Sequence, residues 1–276
     1  MSQEQPSNST NYVHLRDPHL HRIENSMQYD SAGRPVVRTN NFMLDVSRGK
    51  VPGHSIVFIG GRNRQVPNNT EATVWTVGGL YPWSTFTNSG AAIYMTSASG
   101  ATDTGVQIYI EGLDSNYAKI SYTVTLNGSG TGNTDGVSFY RINAAFVVGS
   151  KAPAGDVTFR YGSGAGTVVG KIVAGSNRLG QAVYTVPAGY TAFSVYGDFG
   201  ILGSNSAELR AYWRFYGGVF LRIYATPVTG QSFMSAPLFP GAIPEKTDID
   251  NRVAEGTNNL TASSNQQLLL VDNTYL

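Results

Sequence analysis

The chain has 276 residues, of which 13% are charged, and its formal net charge is +1 at pH 7. This balance excludes the basic patch of a typical nucleic-acid-binding domain and the polybasic run that binds anionic membranes. Because cysteine is absent, disulfides and thiolate metal sites are excluded as well. The charged fraction is low beside the roughly 25% of an average soluble domain. It favours a protein whose surface is partly covered by neighbouring subunits, since interface centres are depleted in charge.

Residues 1–40 differ from the rest of the chain. They are polar, show no sustained periodicity and are interrupted by prolines, so we predict an extended N-terminal arm. The first residues lack the basic and apolar regions of a signal peptide, and we expect none there. In an assembly such an arm lies on a neighbouring subunit. The residues expected to make that contact are Tyr12, Leu15, Leu20, Ile23 and Tyr29.

From residue 41 onward, short β-rich runs alternate with clusters of Gly, Asn, Asp and Ser. The run 119–126 places Ile120, Tyr122 and Val124 on one face and polar residues on the other, which is the period of a half-buried strand. Asn127–Gly128 then predicts a turn. Strands are predicted over residues 55–59, 73–77, 92–96, 106–110, 119–126, 137–148, 156–161, 167–174, 182–186, 191–199, 207–226, 246–250 and 266–271.

This rhythm of short strands predicts an all-β fold, an antiparallel and jelly-roll-like β-sandwich. We assign the arm to residues 1–40, the sandwich to 41–240, and a C-terminal connector with closing strands to 241–276. A candidate boundary near residue 150 leaves one or two β subdomains open. Gly217–Gly218, within the longest run, predicts either a hairpin turn or a bulge.

Signals for catalysis or cofactor binding are weak. The Ser/Gly-rich loops lack the Lys of a phosphate-binding loop, and His54 is the sole histidine outside the arm. Asp248 and Asp250 are two residues apart, but a single pair is a weak calcium signal. We therefore expect a protein that is not an enzyme, with no cofactor and no metal.

Two aromatic clusters, 81–83 and 212–216, admit two interpretations. They either stack on sugar rings or form core and subunit interfaces, and the second is favoured because Tyr and Trp bury large areas.

Several short segments resemble virion structural proteins of cyanophages and other aquatic tailed phages. They are DVSRG (45–49), GHS (53–55), IEGLDSNY (110–117), VTLNG (124–128), YTVPAG (184–189), TAF (191–193) and PEKTDI (244–249). The resemblance spans about residues 41–276 and consists of turns and strand edges, so it implies a particle component without active-site residues.

The function expected from these observations is that of a virion structural protein, assembled in the host cytoplasm. It would decorate or cement the capsid shell through the arm and an aromatic β face. Its expected partners are the major capsid protein or neighbouring virion proteins, and copies of itself, with no nucleic acid and no membrane. The alternatives are a neck, collar, adaptor or tail component at the head–tail junction, and a carbohydrate-binding receptor module that uses Trp83 or Trp213.

Overall fold

A computed structural model describes residues 28–29, 35–36, 42–202, 206–229, 232–235, 241–254, 256 and 259–276. The chain divides into two units, Met1–Phe42 and Met43–Leu276. In the first unit, strands β1 (Gln28–Tyr29) and β2 (Pro35–Val36) pair antiparallel. A six-residue helix, α1 (Phe42–Ser47), follows. Among the described residues, no helix is long and apolar enough to cross a membrane.

The second unit consists of antiparallel strands joined by turns and three short 3₁₀ segments, Trp83–Thr85, Gly100–Asp103 and Asn273–Tyr275. Its strands are β3 (His54–Val66), β4 (Ala72–Thr73), β5 (Ile93–Ser97), β6 (Gln107–Leu113), β7 (Lys119–Thr125), β8 (Thr131–Asn133), β9 (Arg141–Val148), β10 (Val157–Tyr161), β11 (Val168–Ile172), β12 (Val183–Thr185), β13 (Tyr190–Leu202), β14 (Ser206–Arg214), β15 (Phe220–Thr229), β16 (Ser232–Ser235), β17 (Ala242–Ile243), β18 (Asp248–Ala254) and β19 (Leu260–Asp272).

Strands from the two ends of this unit form an outer sandwich. Sheet 1 has the order β16-β13-β19-β3, with β17 paired to β13, and sheet 2 has the order β12-β18-β14-β15, with β4 paired to β18. Their inward side chains share two apolar clusters. One contains Leu209 and Leu260, and the other contains Ile249 and Leu268. Because β3 pairs with β19, the beginning and end of the unit lie side by side in one sheet.

A second sandwich is inserted between β4 and β12. Sheet 3 has the order β11-β10-β5-β8 and sheet 4 the order β7-β6-β9, and both contribute to one large core that includes Ile108, Phe139 and Phe159. The segment between β9 and β10, where a boundary near residue 150 is predicted, connects sheet 4 to sheet 3 across this shared core. The division into domains itself stays a prediction.

Local sequence explains much of this geometry. The β6 run buries Ile108 and Ile110 while Gln107 and Glu111 stay exposed, as alternation requires. After β7, the Asn127 side chain accepts hydrogen bonds from the backbone of Ser129 and Thr131, which closes the predicted turn.

The all-β, antiparallel prediction is confirmed, but individual strand limits differ. The first predicted strand does not end at Gly60–Gly61, because β3 continues to Val66. A Cβ on Gly61 would overlap the Val74 carbonyl oxygen and the Ala182 nitrogen, so glycine there permits a close backbone approach within a strand.

Two further segments differ from the predicted strand limits. The Gly-rich loop at 128–132 contains the start of β8, which pairs with β5. The long run 207–226 is two strands, and Gly217 adopts φ +73° in the turn that joins them. Of the two alternatives for Gly217–Gly218, the hairpin turn is confirmed.

Candidate assembly surface

Strands β14 and β15 form a long hairpin at one side of sheet 2. They pair from Ser206↔Thr229 to Arg214↔Phe220. The turn is closed by the Gly218 N–H, which donates to the Phe215 carbonyl oxygen at 2.9 Å. This hairpin comes from the most aromatic run of the sequence, so its exposure decides whether that run is core or surface.

Apolar side chains on the turn and on β15 are exposed. Tyr216 and Val219 are 69% and 72% exposed, whereas a buried core residue such as Leu209 on the neighbouring strand has no exposure. The hairpin surface comprises Phe215, Tyr216, Val219, Leu221, Ile223 and Tyr224. Several exposed apolar side chains on one hairpin are typical of an interaction site.

Strand β15 is also the last strand of sheet 2 and, among the described strands, pairs with β14 alone. Three features limit open-ended strand pairing at this edge. Arg222 is its charged residue, Pro227 has no N–H to donate, and the register shift leaves Ile223 as a bulge. The edge is therefore protected from indiscriminate pairing, while Leu221 and Ile223 remain exposed on it.

A buried ion-pair network fixes β14 from the face opposite the outer-sandwich core. Asp248 on β18 accepts from Arg141 Nε at 3.0 Å and from Arg214 at 2.9 Å, and the Thr185 hydroxyl donates to it as well. Asp248 and Arg141 side chains are each only 4% exposed. Because Arg141 belongs to β9, this network joins the inserted sandwich to sheet 2. Burial alone would lower the pKa of Arg141, but Asp248 holds it above its ordinary value.

The network continues along β14 and β18. Asp250 accepts from the Trp83 indole N–H at 2.9 Å and pairs with Arg252 at 2.8 Å. Arg252 and Arg210 both pair with Glu71, at 2.9 and 3.0 Å. Burial would raise the pKa of Glu71, but hydrogen bonds from Tyr212, Arg210 and Arg252 outweigh it and lower the pKa.

These contacts determine what Asp248 and Asp250 do. Their oxygens are occupied by arginines, hydroxyls and an indole, so they do not form an open oxygen site of the kind that calcium requires. No group of three or more His, Asp or Glu side chains suited to a metal occurs in the part of the chain that the structure describes.

The aromatic cluster at 81–83 lies in the core. Tyr81 and Trp83 are 4% and 8% exposed and pack edge-to-face at 4.8 Å. Trp213 is partly buried against the outer-sandwich core. For Tyr81 and Trp83 the core interpretation is confirmed, and Trp83 has no free face on which to stack a sugar.

The predicted arm contacts fall elsewhere. Tyr12, Leu15, Leu20 and Ile23 lie outside the described residues, and Tyr29 is described only through its backbone in β1. Their contact role stays a prediction. Sequence analysis missed the partners Glu71, Arg141 and Arg210, since nothing in their local sequence indicates an ion pair more than a hundred residues away.

No protein-family profile and no curated protein matches the chain. Among solved structures, the chain is similar to the PBSX exported protein XepA at 10% identity, over 90% of this chain and 100% of that chain, with a TM-score of 0.19. It is similar to the infectious bursal disease virus VP2 subviral particle at 9% identity, over 81% and 73%, with a TM-score of 0.21. The neighbours thus include a phage exported protein and viral particle proteins, but at these TM-scores the likeness carries no argument about function.

Proposed function

We propose that the chain is a non-enzymatic virion structural protein that assembles with copies of itself through the hairpin surface. The observation that carries this proposal is the exposed apolar set on an edge hairpin, held rigid by the Asp248 ion-pair network. A mobile loop would lose much conformational entropy on assembly, whereas a hairpin fixed in advance loses little.

A second copy of this chain fits the surface better than a charged partner. The turn and β15, residues 215–229, hold a single charged residue, Arg222, which is paired with Glu208 at 3.7 Å within the same chain. With a net charge of +1, many copies can pack without long-range repulsion. A two-fold arrangement would bring the same six side chains against themselves.

Within the particle, we assign the chain to decoration or cementing of the shell. The N-terminal arm, through Tyr12, Leu15, Leu20, Ile23 and Tyr29, would contact the major capsid protein or another virion protein. A neck, collar or tail position requires the same surfaces in a ring of few copies, so the number of copies per particle separates the two assignments.

Self-association can be tested by single-cysteine cross-linking, because the chain has no cysteine of its own. Ile223→Cys places a thiol in the hairpin surface, and Ser129→Cys places one on an exposed turn of the inserted sandwich. With a short bismaleimide, Ile223→Cys should give a cross-linked dimer at dilute concentration and Ser129→Cys should not. Equal cross-linking of the two variants would overturn assembly through the hairpin.

The virion assignment is tested on intact particles, with a gold-labelled antibody against the chain viewed by electron microscopy. Label spread over the head is expected for decoration. Label at the tail vertex would replace decoration by the neck or tail assignment, and unlabelled particles that lack the chain by mass spectrometry would refute a virion role.

A further inference from the structure

The three-stranded sheet 4 presents two unlike faces. Ile108, Ile110 and Val124 point into the core of the inserted sandwich. On the opposite face lie Tyr109 and Glu111 of β6, with Ser121 of β7 paired to Glu111 and Lys119 paired to Leu113. These polar side chains line a cleft of about 320 Å³. The volume lies at the lower end of the about 300–1,000 Å³ of small-molecule sites.

The other side of the cleft belongs to the outer sandwich. Ser55 and Val57 of β3, Leu270 of β19 and Tyr184 of β12 line it. Asn143 fixes the two sides relative to each other, since its amide donates to the Thr185 carbonyl at 2.9 Å and accepts from the Thr185 N–H at 3.0 Å. The cleft is therefore a built cavity between two packed sandwiches.

Tyr184 carries an unused polar group into this cavity. The residue is 4% exposed, and its hydroxyl makes no hydrogen bond to any residue that the structure describes. The fully buried side-chain atoms without a partner in the described chain are Gln181 Oε1, Thr247 Oγ1 and Ser264 Oγ. The Tyr184 hydroxyl is not one of them, and Tyr184 lines the cleft. Buried tyrosine hydroxyls normally have a partner, and this one is available to a ligand.

The electrostatics of the cleft favour a neutral ligand. Glu111 and Lys119 are of opposite sign and line the same wall. Burial raises the pKa of Tyr184, and the charge of Glu111, which lines the same cleft, raises it further. Lys119 lies 3.5 Å from the centre of the Tyr190 ring, so its charge is already engaged at the rim. Neither an anion nor a cation gains a net attraction here.

The cleft also offers an aromatic wall. Tyr109 is partly exposed, and its ring lies 5.1 Å from that of Phe146, which supports it from the next strand. A saccharide combines an apolar ring face, which packs on an aromatic ring, with hydroxyls that both donate and accept. The cleft supplies the matching groups, namely a ring, a carboxylate and a free hydroxyl.

We propose that this cleft binds a neutral saccharide, which packs on Tyr109 and hydrogen-bonds to Tyr184 and Glu111. The sequence-based alternative placed a bound sugar on Trp83 or Trp213. The site proposed here lies instead between the two sandwiches. The proposal does not depend on the virion role or on assembly through the hairpin.

The test uses the full chain and an array of neutral mono- and oligosaccharides, followed by saturation-transfer NMR with glucose, galactose, mannose and N-acetylglucosamine at millimolar concentration. At least one probe should bind. Tyr184→Phe removes only the hydroxyl and should weaken binding about three- to tenfold, the effect of one hydrogen bond. Tyr109→Ala should reduce transfer to the ring protons of the sugar, and Tyr94→Phe, a tyrosine on β5 outside the cleft, should change neither.

The outcomes are decisive in both directions. Binding that responds to Tyr184→Phe and Tyr109→Ala, but not to Tyr94→Phe, supports the site. Absence of binding to every probe, or binding indifferent to both cleft variants, would each overturn it. Circular dichroism of the three variants distinguishes a lost ligand contact from a lost fold.

Discussion

Asp248 is the carboxylate on which the union of the two sandwiches depends most directly. It pairs with Arg141 from the inserted sandwich and with Arg214 from β14, and it is 2% exposed. Replacement by alanine leaves both arginines without their counter-ion. Arg214, with a side chain 25% exposed, can turn to water. Arg141 is only 3% exposed and cannot.

The expected cost follows from this difference. Removal of one partner from a buried ion pair costs about 3–5 kcal/mol, because an uncompensated charge stays behind. For a chain of this size each kcal/mol lowers the melting temperature by about 2–4 °C, so a fall of about 6–20 °C is expected for Asp248→Ala. Arg141→Met should cost less, because Asp248 keeps Arg214 and the Thr185 hydroxyl.

The assay is thermal unfolding at low protein concentration, followed by intrinsic fluorescence. Lys171→Met is the matched control, since the Lys171–Asp156 pair is 3.7 Å long and about one-third exposed. Pairs of that kind contribute about 0–1 kcal/mol. The predicted order of destabilisation is Asp248→Ala, then Arg141→Met, then Lys171→Met. A loss for Asp248→Ala no greater than for the control would refute the view that this network joins the sandwiches.

Three further changes test other parts of the structure. Asp103 is buried, and burial alone would raise the pKa of its carboxyl group, but hydrogen bonds from Ser97 and from the backbone of Ala154 and Gly155 lower that pKa overall. The resulting stabilisation of the fold is present above the ordinary pKa and is lost as the pH falls through the lowered pKa. Asp103→Asn should flatten the acid side of the stability profile, and an unchanged profile would contradict this. Gly61→Ala should destabilise by about 3 kcal/mol or prevent folding, whereas Gly164→Ala, where a Cβ meets open space, should be neutral in the same thermal melt. Leu221→Ser with Ile223→Ser, each about half exposed, should remove about 1 kcal/mol per side chain, or about 4 kcal/mol across a symmetric pair; sedimentation should then show a dissociation constant raised about a thousandfold, and unchanged association would count against the hairpin.

Sequence periodicity predicted most of the strands because their alternation and turn chemistry are local. β7, β10 and β11 lie within a residue or two of their predicted limits. Glycines that follow an apolar run were a less reliable sign of where a strand ends. At Gly61 the missing side chain admits the backbone of Val74 and Ala182 instead of ending the strand, and both residues are distant from Gly61 in sequence.

The nesting of the two sandwiches could not be predicted from local pattern. It depends on β3 pairing with β19, about two hundred residues later, and no periodicity encodes such a partner. The ion-pair network has the same origin, since Glu71, Arg141 and Asp248 come together only after the strands are paired. The cleft was missed because Glu111 and Lys119 resemble ordinary solvent-facing strand residues until β3 and β12 are placed opposite them.

The low charge of the chain acquires a physical meaning from this arrangement. Much of its scarce charge is used internally: Asp248, Asp250 and Glu71 are engaged by arginines on or beside β14. These carboxylates and arginines pair with each other on or beside β14 and β18 and do not lie on the edge strand β15. The side chains exposed on β15 are therefore mainly aliphatic and aromatic. The charge network on one face of β14 thus lies beside the exposed apolar side chains of β15, so if the chain assembles through the hairpin surface as proposed, disruption of Asp248 should weaken self-association as well as folding.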